Sequence, residues 1–201
     1  ANLSLGMPHP RLACVVNNSA QKEHFWPGNS VSKNGRIQLI AASWSANWNK
    51  GFEIYSYLDR HLDFSRYEMT FVGNTPISFL NIHCIPPQDI PELGALLRAS
   101  DIYITASRHD PCSNSLLEAL ACGLPAAAIC SGGHPGLLLG GGELFSGTTD
   151  VIDCIDRVSA DMDKYKAALP RREIAQAARS YLSFFEDVHW QTRTACTLPL
   201  R

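Results

Sequence analysis

The sequence predicts an α/β protein built on a doubly wound, Rossmann-like parallel sheet. Two observations lead to this fold class. Short runs rich in β-branched and aromatic residues alternate along the chain with segments of helical periodicity. These runs show little polar alternation, as in residues 101–105, which is typical of strands covered by helices on both faces. Strands that alternate with helices in this way pair in parallel through right-handed crossovers.

The predicted elements follow one another in a regular order. A strand over residues 36–42, a helix over 51–61 and a strand over 68–73 form the first βαβ unit. The pattern then repeats with strands at 81–85, 101–105 and 126–130, helices at 90–99 and around Glu118, a helix capped at 148–150 and ending near 158, and a long helix at 171–185. We therefore expect three parts: a connecting segment over 1–34 with a candidate edge strand at 12–16, one folded domain over 35–190, and a tail over 191–201.

The composition fits a single folded domain with a small ligand. The chain has 201 residues, of which 45% are hydrophobic and 18% charged, and its formal net charge is −2. This balance argues against a nucleic-acid partner. The seven cysteines lack C-x-x-C spacing, so we expect reduced thiols and no structural metal. No segment resembles a signal peptide or a membrane span, which predicts a cytoplasmic location and leaves peripheral membrane contact open.

The segment with the clearest functional pattern is residues 107–125, which read SRHDPCSNSLLEALACGLP. It follows the predicted strand 101–105, and Pro111 turns the chain because it biases Asp110 away from helix. A helix then begins at the carboxyl end of that strand, where open α/β sheets bind their ligands. Its first N–H groups and its dipole favour an anion there. The sequence therefore predicts a phosphate-bearing ligand.

Polar side chains at the helix start refine this prediction. Ser113, Asn114 and Ser115 are typical N-cap residues, and the same positions would present backbone N–H groups to phosphate. Glu118 lies about one turn into the helix, where a carboxylate can accept hydrogen bonds from a sugar diol. Phosphate and sugar together indicate a nucleotide.

These motifs resemble those of the retaining glycosyltransferases of family 4, also called group 1, which have the GT-B fold. The family motif is an acidic residue, seven residues, a glutamate and then roughly A-x-A-C-G-x-P. Asp110 and Glu118 occupy its acidic positions, and ALACGLP follows at 119–125. The likeness runs from about residue 14 to about 156 and also includes Lys50-Gly51, SGGHP at 131–135 and GGELF at 141–145.

The resemblance implies an activity and a division of labour. Family members have two α/β domains: the first holds the acceptor, and the second, which this sequence matches, binds a nucleotide-diphosphate sugar linked to UDP, GDP or ADP. It implies metal-independent, retaining transfer without a cofactor to a saccharide, lipid or small-molecule acceptor. The acceptor domain is then expected to precede this sequence.

The resemblance also assigns roles to individual residues. Lys50 would face the diphosphate, Glu118 the ribose and Asp110 the transferred sugar. Further contacts are implied for Ser113, Asn114 and Ser115 with phosphate, Gly132, Gly133 and His134 with the sugar, and Ile85 with the base. Each has a plainer interpretation: surface charges for Lys50 and Glu118, a turn aspartate, helix caps, loop residues and a core isoleucine.

The chain departs from the family pattern at three places. Residues 43–45 read Ser-Trp-Ser where the family has an arginine for the diphosphate, Asp110 stands for the usual glutamate, and Gly136 stands for another glutamate. These departures favour an alternative, a non-catalytic nucleotide-sugar binding or interaction module. A third alternative, a dehydrogenase-like enzyme, lacks the G-x-G-x-x-G fingerprint after the first strand.

Overall fold

The computed structural model describes residue 16 and residues 18–28 and 35–196, with side chains up to residue 188. Six strands form one parallel sheet in the order β3-β2-β1-β4-β5-β6. The strands are β1 Ile37–Ser43, β2 Tyr67–Gly73, β3 His83–Ile85, β4 Ile102–Thr105, β5 Ala126–Ile129 and β6 Gly142–Phe145. The helices are α1 Phe52–His61, α2 Ile90–Arg98, α3 Asn114–Ala121, α4 His134–Leu138, α5 Val151–Ala160, α6 Met162–Ala167 and α7 Ile174–Cys196. The predicted fold class is confirmed.

The sheet has an apolar core on each face, as a doubly wound fold requires. On one face, Phe52 and Leu58 of α1 pack with Phe71 of β2 and with Ile155 of α5. On the other face, buried residues of α2, α3 and α4 pack against alternate strand positions such as Tyr103 of β4; the helix residues include Leu97, Leu116, Leu120 and Leu137. Both faces of β4 and β5 are therefore buried, which explains their short, nearly continuous apolar runs.

Several elements differ from the sequence-based expectation. Strand β6 and helices α4 and α6 were not predicted, and α7 begins later than the predicted helix and extends to Cys196, into the expected tail. β6 was missed because only four residues pair and the strand starts at a glycine. Gly142 lies against β5 so closely that a Cβ there would be 2.7 Å from the Ala126 nitrogen. The candidate edge strand at 12–16 lies outside the described residues apart from residue 16, which has no regular structure.

The strand order fixes where a ligand can bind. Crossovers from β1 run to β2 and β3 on one side, and the chain then returns to β4 on the other side of β1. The chain therefore continues from β1 toward one edge of the sheet and from β4 toward the other edge. This leaves a crevice between the loops that follow the two strands. Among the described residues, no helix is long and apolar enough to span a membrane.

Candidate functional site

A cavity of about 390 Å³ opens at this crevice, at the carboxyl ends of β1, β2 and β4. Its polar wall combines the loop after β1 with the turn and helix after β4. The lining includes Ser43, Trp44, Ser45, Lys50, Tyr55, Gly73, Pro87, Gln88, Ser107, Asp110, Cys112, Asn114, Ser115 and Glu118. Five of the residues singled out in the sequence are therefore brought together: Lys50, Asp110, Asn114, Ser115 and Glu118.

The start of α3 presents unpaired donors to the cavity. Ser113 is the N-cap residue, yet its side chain makes no capping hydrogen bond and its Oγ instead lies 3.3 Å from Ser115 Oγ. No described carbonyl or side chain accepts a hydrogen bond from the backbone N–H groups of Asn114, Ser115 or Leu116. These N–H groups and the positive end of the α3 dipole are thus available to an anion. Ser113 itself is buried and does not line the cavity.

Lys50 is delivered to the cavity by a tight turn after β1. It ends a single 3₁₀ turn, and Gly51 follows with φ 79° so close to the residue after β4 that a Cβ would lie 2.8 Å from the Ala106 carbonyl carbon. Lys50 Nζ lies 3.2 Å from Ser107 Oγ and 3.4 Å from Asp110 Oδ2. The ammonium group is therefore held between two loops that are about 60 residues apart in sequence.

Asp110 is fixed by the turn that its neighbours form. His109 has a left-handed backbone with φ 57°, and its N–H donates to Ser131 Oγ. Asp110 Oδ1 accepts from the Cys112 N–H at 3.2 Å, while its other carboxylate oxygen faces Lys50. This leaves the carboxylate at the cavity wall with a defined orientation.

Glu118 lies on the α3 face that borders the cavity. No described residue forms an ion pair or hydrogen bond with its carboxylate. Desolvation by the surrounding protein raises the pKa of this carboxyl above its ordinary value. An acceptor group that is partly buried and unpaired is suited to a ligand that brings hydroxyl donors.

The glycine loop after β5 supports Asp110 from behind. Gly133 N donates to the Asp110 carbonyl at 2.8 Å, and neither Gly132, Gly133 nor His134 lines the cavity. His134 is fully buried rather than exposed in a loop, because it begins α4 and its Nδ1 lies 2.9 Å from the Ile129 carbonyl. A carbonyl only accepts, so Nδ1 carries the proton and Nε2, which has no partner among the described residues, is the free acceptor.

The residues that line the end of the cavity expected to hold the nucleotide base differ from the prediction by a few positions. Ile85 is only partly exposed, packs against the core and does not line the cavity, whereas Pro87 and Gln88 do. No sequence pattern indicated these two residues, because they follow a strand of only three residues. Tyr55 was also missed; its hydroxyl accepts a hydrogen bond from the Ala106 N–H at the cavity floor.

The positive charge of the cavity is limited. Of the described residues that line it, Lys50 is the only one with a cationic side chain, and Ser43, Trp44 and Ser45 occupy the wall where the family pattern has an arginine. Arg108 does not replace that arginine, because its guanidinium pairs with Glu53 at 2.8 Å. Among the described residues, no group of His, Cys, Asp or Glu side chains is arranged to hold a metal ion.

The fold and the cavity define an α/β domain with a polar crevice at the switch point of its sheet, and comparisons with known proteins indicate its class. Residues 64–161 match the family model described as glycosyl transferases group 1. D-inositol 3-phosphate glycosyltransferase from Mycolicibacterium smegmatis is 34% identical over 97 residues, which are 47% of this chain and 22% of that protein.

Solved structures agree on the fold. The C-terminal domain of a glycosyl transferase group 1 family protein, LpcC from Francisella tularensis, has a TM-score of 0.59 at 17% identity, covering 81% of this chain and 98% of that domain. Anabaena HepE, in complex with UDP-glucose, has a TM-score of 0.62 at 13% identity, covering 90% of this chain and 57% of that protein. The family-model match and the curated relative agree with the predicted resemblance to the C-terminal domain of a group 1 glycosyltransferase, and the solved structures agree with its fold.

Proposed function

We propose that this domain binds a nucleotide-diphosphate sugar as the donor for glycosyl transfer. The observation that carries the proposal is the convergence, in one cavity, of the uncapped α3 start, the Lys50 ammonium and the unpaired Glu118 carboxylate. Anion donors and a diol acceptor side by side match the two polar parts of a nucleotide diphosphate.

In this proposal the diphosphate lies between α3 and Lys50. The backbone N–H groups of Asn114 and Ser115 donate to phosphate oxygens, and Lys50 reaches them from the opposite wall. The Lys50–Asp110 distance of 3.4 Å is long for a charge-assisted hydrogen bond, so a phosphate oxygen competes for the ammonium group at little expense.

The position of the diphosphate determines where the ribose, the base and the transferred sugar would lie. Glu118 accepts hydrogen bonds from the ribose hydroxyls, and the base extends toward Pro87 and Gln88 at the far wall. The transferred sugar lies near Asp110, whose backbone is supported by Gly132 and Gly133. His134 and Ile85 support the site from the core without lining the cavity.

We further propose that the transfer is metal-independent and retains the configuration of the sugar, as the family resemblance implies. As the bond between sugar and diphosphate breaks, negative charge grows on the leaving oxygen, and Lys50 with the α3 N–H groups stabilises it. The acceptor, a saccharide, lipid or small molecule, approaches from the side that a preceding domain would cover. The matched region is only part of the length of its relatives, so transfer is proposed for the whole protein rather than for this domain alone.

Calorimetric titration with UDP, GDP and ADP tests donor binding. We expect one nucleotide to bind saturably. Glu118→Gln weakens it by about 10–100-fold, because hydrogen bonds to a charged group contribute about 1.5–3 kcal/mol. Glu186→Gln, an exposed change on α7, is the matched control and leaves affinity unchanged. The proposal is wrong if all three nucleotides fail to bind or if the two variants lose affinity equally.

A non-catalytic nucleotide-sugar binding module is the second candidate. It is favoured because the described residues that line the cavity include a single cationic side chain. The departing diphosphate would then be less stabilised than in the family pattern, which has two cations there. Donor hydrolysis separates the two candidates: a protein that includes the preceding domain releases free sugar slowly from its donor if it is an enzyme, and Lys50→Ala abolishes this release. Binding of the intact donor without release identifies the module.

A further inference from the structure

A second cavity, of about 560 Å³, lies away from the donor cavity beside the other end of α3. It is lined by the segment before β1, by the end of α3 with the Gly123 turn, and by the connection between α6 and α7. We call it the basic cavity and define it by six of its lining residues, Lys22, Phe25, Leu120, Lys166, Arg171 and Arg172. Its volume lies within the range of small-molecule sites.

The basic cavity carries an excess of positive charge. Lys22, Lys166 and Arg171 are exposed at its edge, and none of them forms an ion pair or side-chain hydrogen bond with a described residue. Glu173 is the one acidic residue among those that line it. Four cationic residues and one acidic residue thus line the cavity, in a chain whose overall charge is −2. Such a local imbalance attracts anions and is relieved by binding one.

Arg172 gives the cavity a fixed cationic wall. Its Nη2 donates to the Gly136 carbonyl at 3.0 Å and to the Leu137 carbonyl at 3.4 Å, which ties the guanidinium to α4. Its Nε is buried and has no hydrogen-bonding partner among the described residues. A guanidinium held in this way keeps its charge at the cavity without losing side-chain freedom when a ligand arrives.

The floor of the cavity is apolar. Phe25 and Leu120 are buried there, and Leu117, Leu169 and Pro170 complete the surface. An inorganic ion would leave this floor uncovered, whereas a molecule with a hydrocarbon or aromatic body would bury it. The ligand chemistry that matches both parts is an anionic group joined to an apolar body.

We propose that the basic cavity is a second ligand site, for an amphipathic phosphate ester. Its phosphate contacts Lys22, Lys166 and Arg171, and its apolar body covers the floor at Phe25 and Leu120. This ester is supplied either as a free molecule or as a lipid with its phosphate headgroup. The site is independent of the donor cavity, since the two share no lining residue.

Calorimetric titration with hexyl phosphate, inorganic phosphate and hexanol tests the site. We expect saturable binding of hexyl phosphate, at least about tenfold weaker binding of inorganic phosphate because no apolar surface is buried, and no saturable binding of hexanol. Lys166→Glu with Arg171→Glu weakens hexyl phosphate by about 100-fold. The matched control, Lys164→Glu with Arg179→Glu, makes the same change in charge outside the cavity and alters affinity by less than about threefold.

Three results would overturn the site: equal affinities for hexyl phosphate and inorganic phosphate, equal losses in the two double variants, or displacement of hexyl phosphate by a saturating nucleoside diphosphate. Circular dichroism confirms that each variant is folded. If hexyl phosphate binds while UDP, GDP and ADP do not, the second site stands and the proposed donor site fails. Sedimentation with vesicles that contain phosphatidic acid identifies the source of the ligand. If the protein sediments with the vesicles and the cavity variant does not, the ligand is a lipid. If the protein binds hexyl phosphate but does not sediment with the vesicles, the ligand is a free molecule.

Discussion

Replacing Gly133 with alanine would push the glycine loop away from Asp110. A Cβ at this position would lie 2.9 Å from the Pro111 carbonyl carbon and closer still to its oxygen, whereas ordinary van der Waals contact begins near 3.4 Å. The backbone of Gly133 suits any residue, since its φ is −85°. The effect of this substitution is therefore steric, and it acts on the turn that holds the Asp110 carboxylate.

The neighbouring glycines turn this into a graded series. Overpacking costs about 1–3 kcal/mol, so Gly133→Ala should lower the free energy of unfolding by that amount. Gly132 meets the Asp110 backbone in the same way and also has φ 58°, which adds about 1–2 kcal/mol, so Gly132→Ala should cost about 2–5 kcal/mol. Gly136 lies within α4 with no atom within 4 Å of its added Cβ, so Gly136→Ala should stabilise by about 0.5–1 kcal/mol.

Urea unfolding monitored by circular dichroism measures the series. The expected order of midpoints is Gly136→Ala, the unchanged protein, Gly133→Ala and then Gly132→Ala. Unfolding slopes should be equal, because a single glycine-to-alanine change hardly alters the surface exposed on unfolding. Equal midpoints for Gly133→Ala and Gly136→Ala would refute the reasoning, since only the first substitution meets a fixed backbone.

Three further predictions concern protonation. Desolvation raises the pKa of Asp59, but the backbone N–H groups of residues 80–82 donate to it and together hold its pKa below the ordinary value. The contribution of Asp59 to stability is therefore complete above the ordinary carboxyl pKa and is lost as pH falls through the lower pKa of the folded state. Asp59→Asn should lower the free energy of unfolding at neutral pH by about 1–3 kcal/mol, and the urea midpoint of this variant should depend less on pH in the acidic range. Burial lowers the pKa of His134, so stability should be complete above about pH 6.5 and decline as pH falls below it, and His134→Gln should remove this decline in the same measurement. Desolvation raises the pKa of Glu118, so this carboxylate is protonated and stops accepting hydrogen bonds as the pH is lowered. Nucleotide affinity measured by calorimetry should therefore decrease with decreasing pH more steeply in the unchanged protein than in Glu118→Gln.

The sequence predicted the elements whose pattern is local. β-branched runs located β1, β2 and β4, and the turn at Asp110-Pro111 located the start of α3, because these signals depend only on neighbouring residues. The short β6 escaped notice because its strand character comes from pairing with β5 rather than from its own residues. The end of α7 was misjudged for a related reason: its last residues show no clear periodicity.

The candidate site was predictable in part. The positions of Asp110, Glu118 and the α3 start follow from one continuous motif, whereas the expectation that Lys50 joins them came from the family resemblance. The burial of His134 and the support of Asp110 by Gly133 depend on how the β5–α4 turn packs against the β4–α3 turn. Such contacts between distant loops leave no periodic signal in the sequence.

The central claim is that the α3 start and Lys50 bind the donor diphosphate. Two-dimensional ¹H–¹⁵N NMR of the chain during titration with the tightest-binding nucleoside diphosphate tests it directly, because it observes the backbone N–H groups that are proposed to donate to the phosphate. We expect the largest, saturable shifts at the N–H groups of Asn114, Ser115 and Leu116, and little change at Gly123 in the basic cavity. Saturable shifts that leave the three α3 groups unmoved would contradict the account.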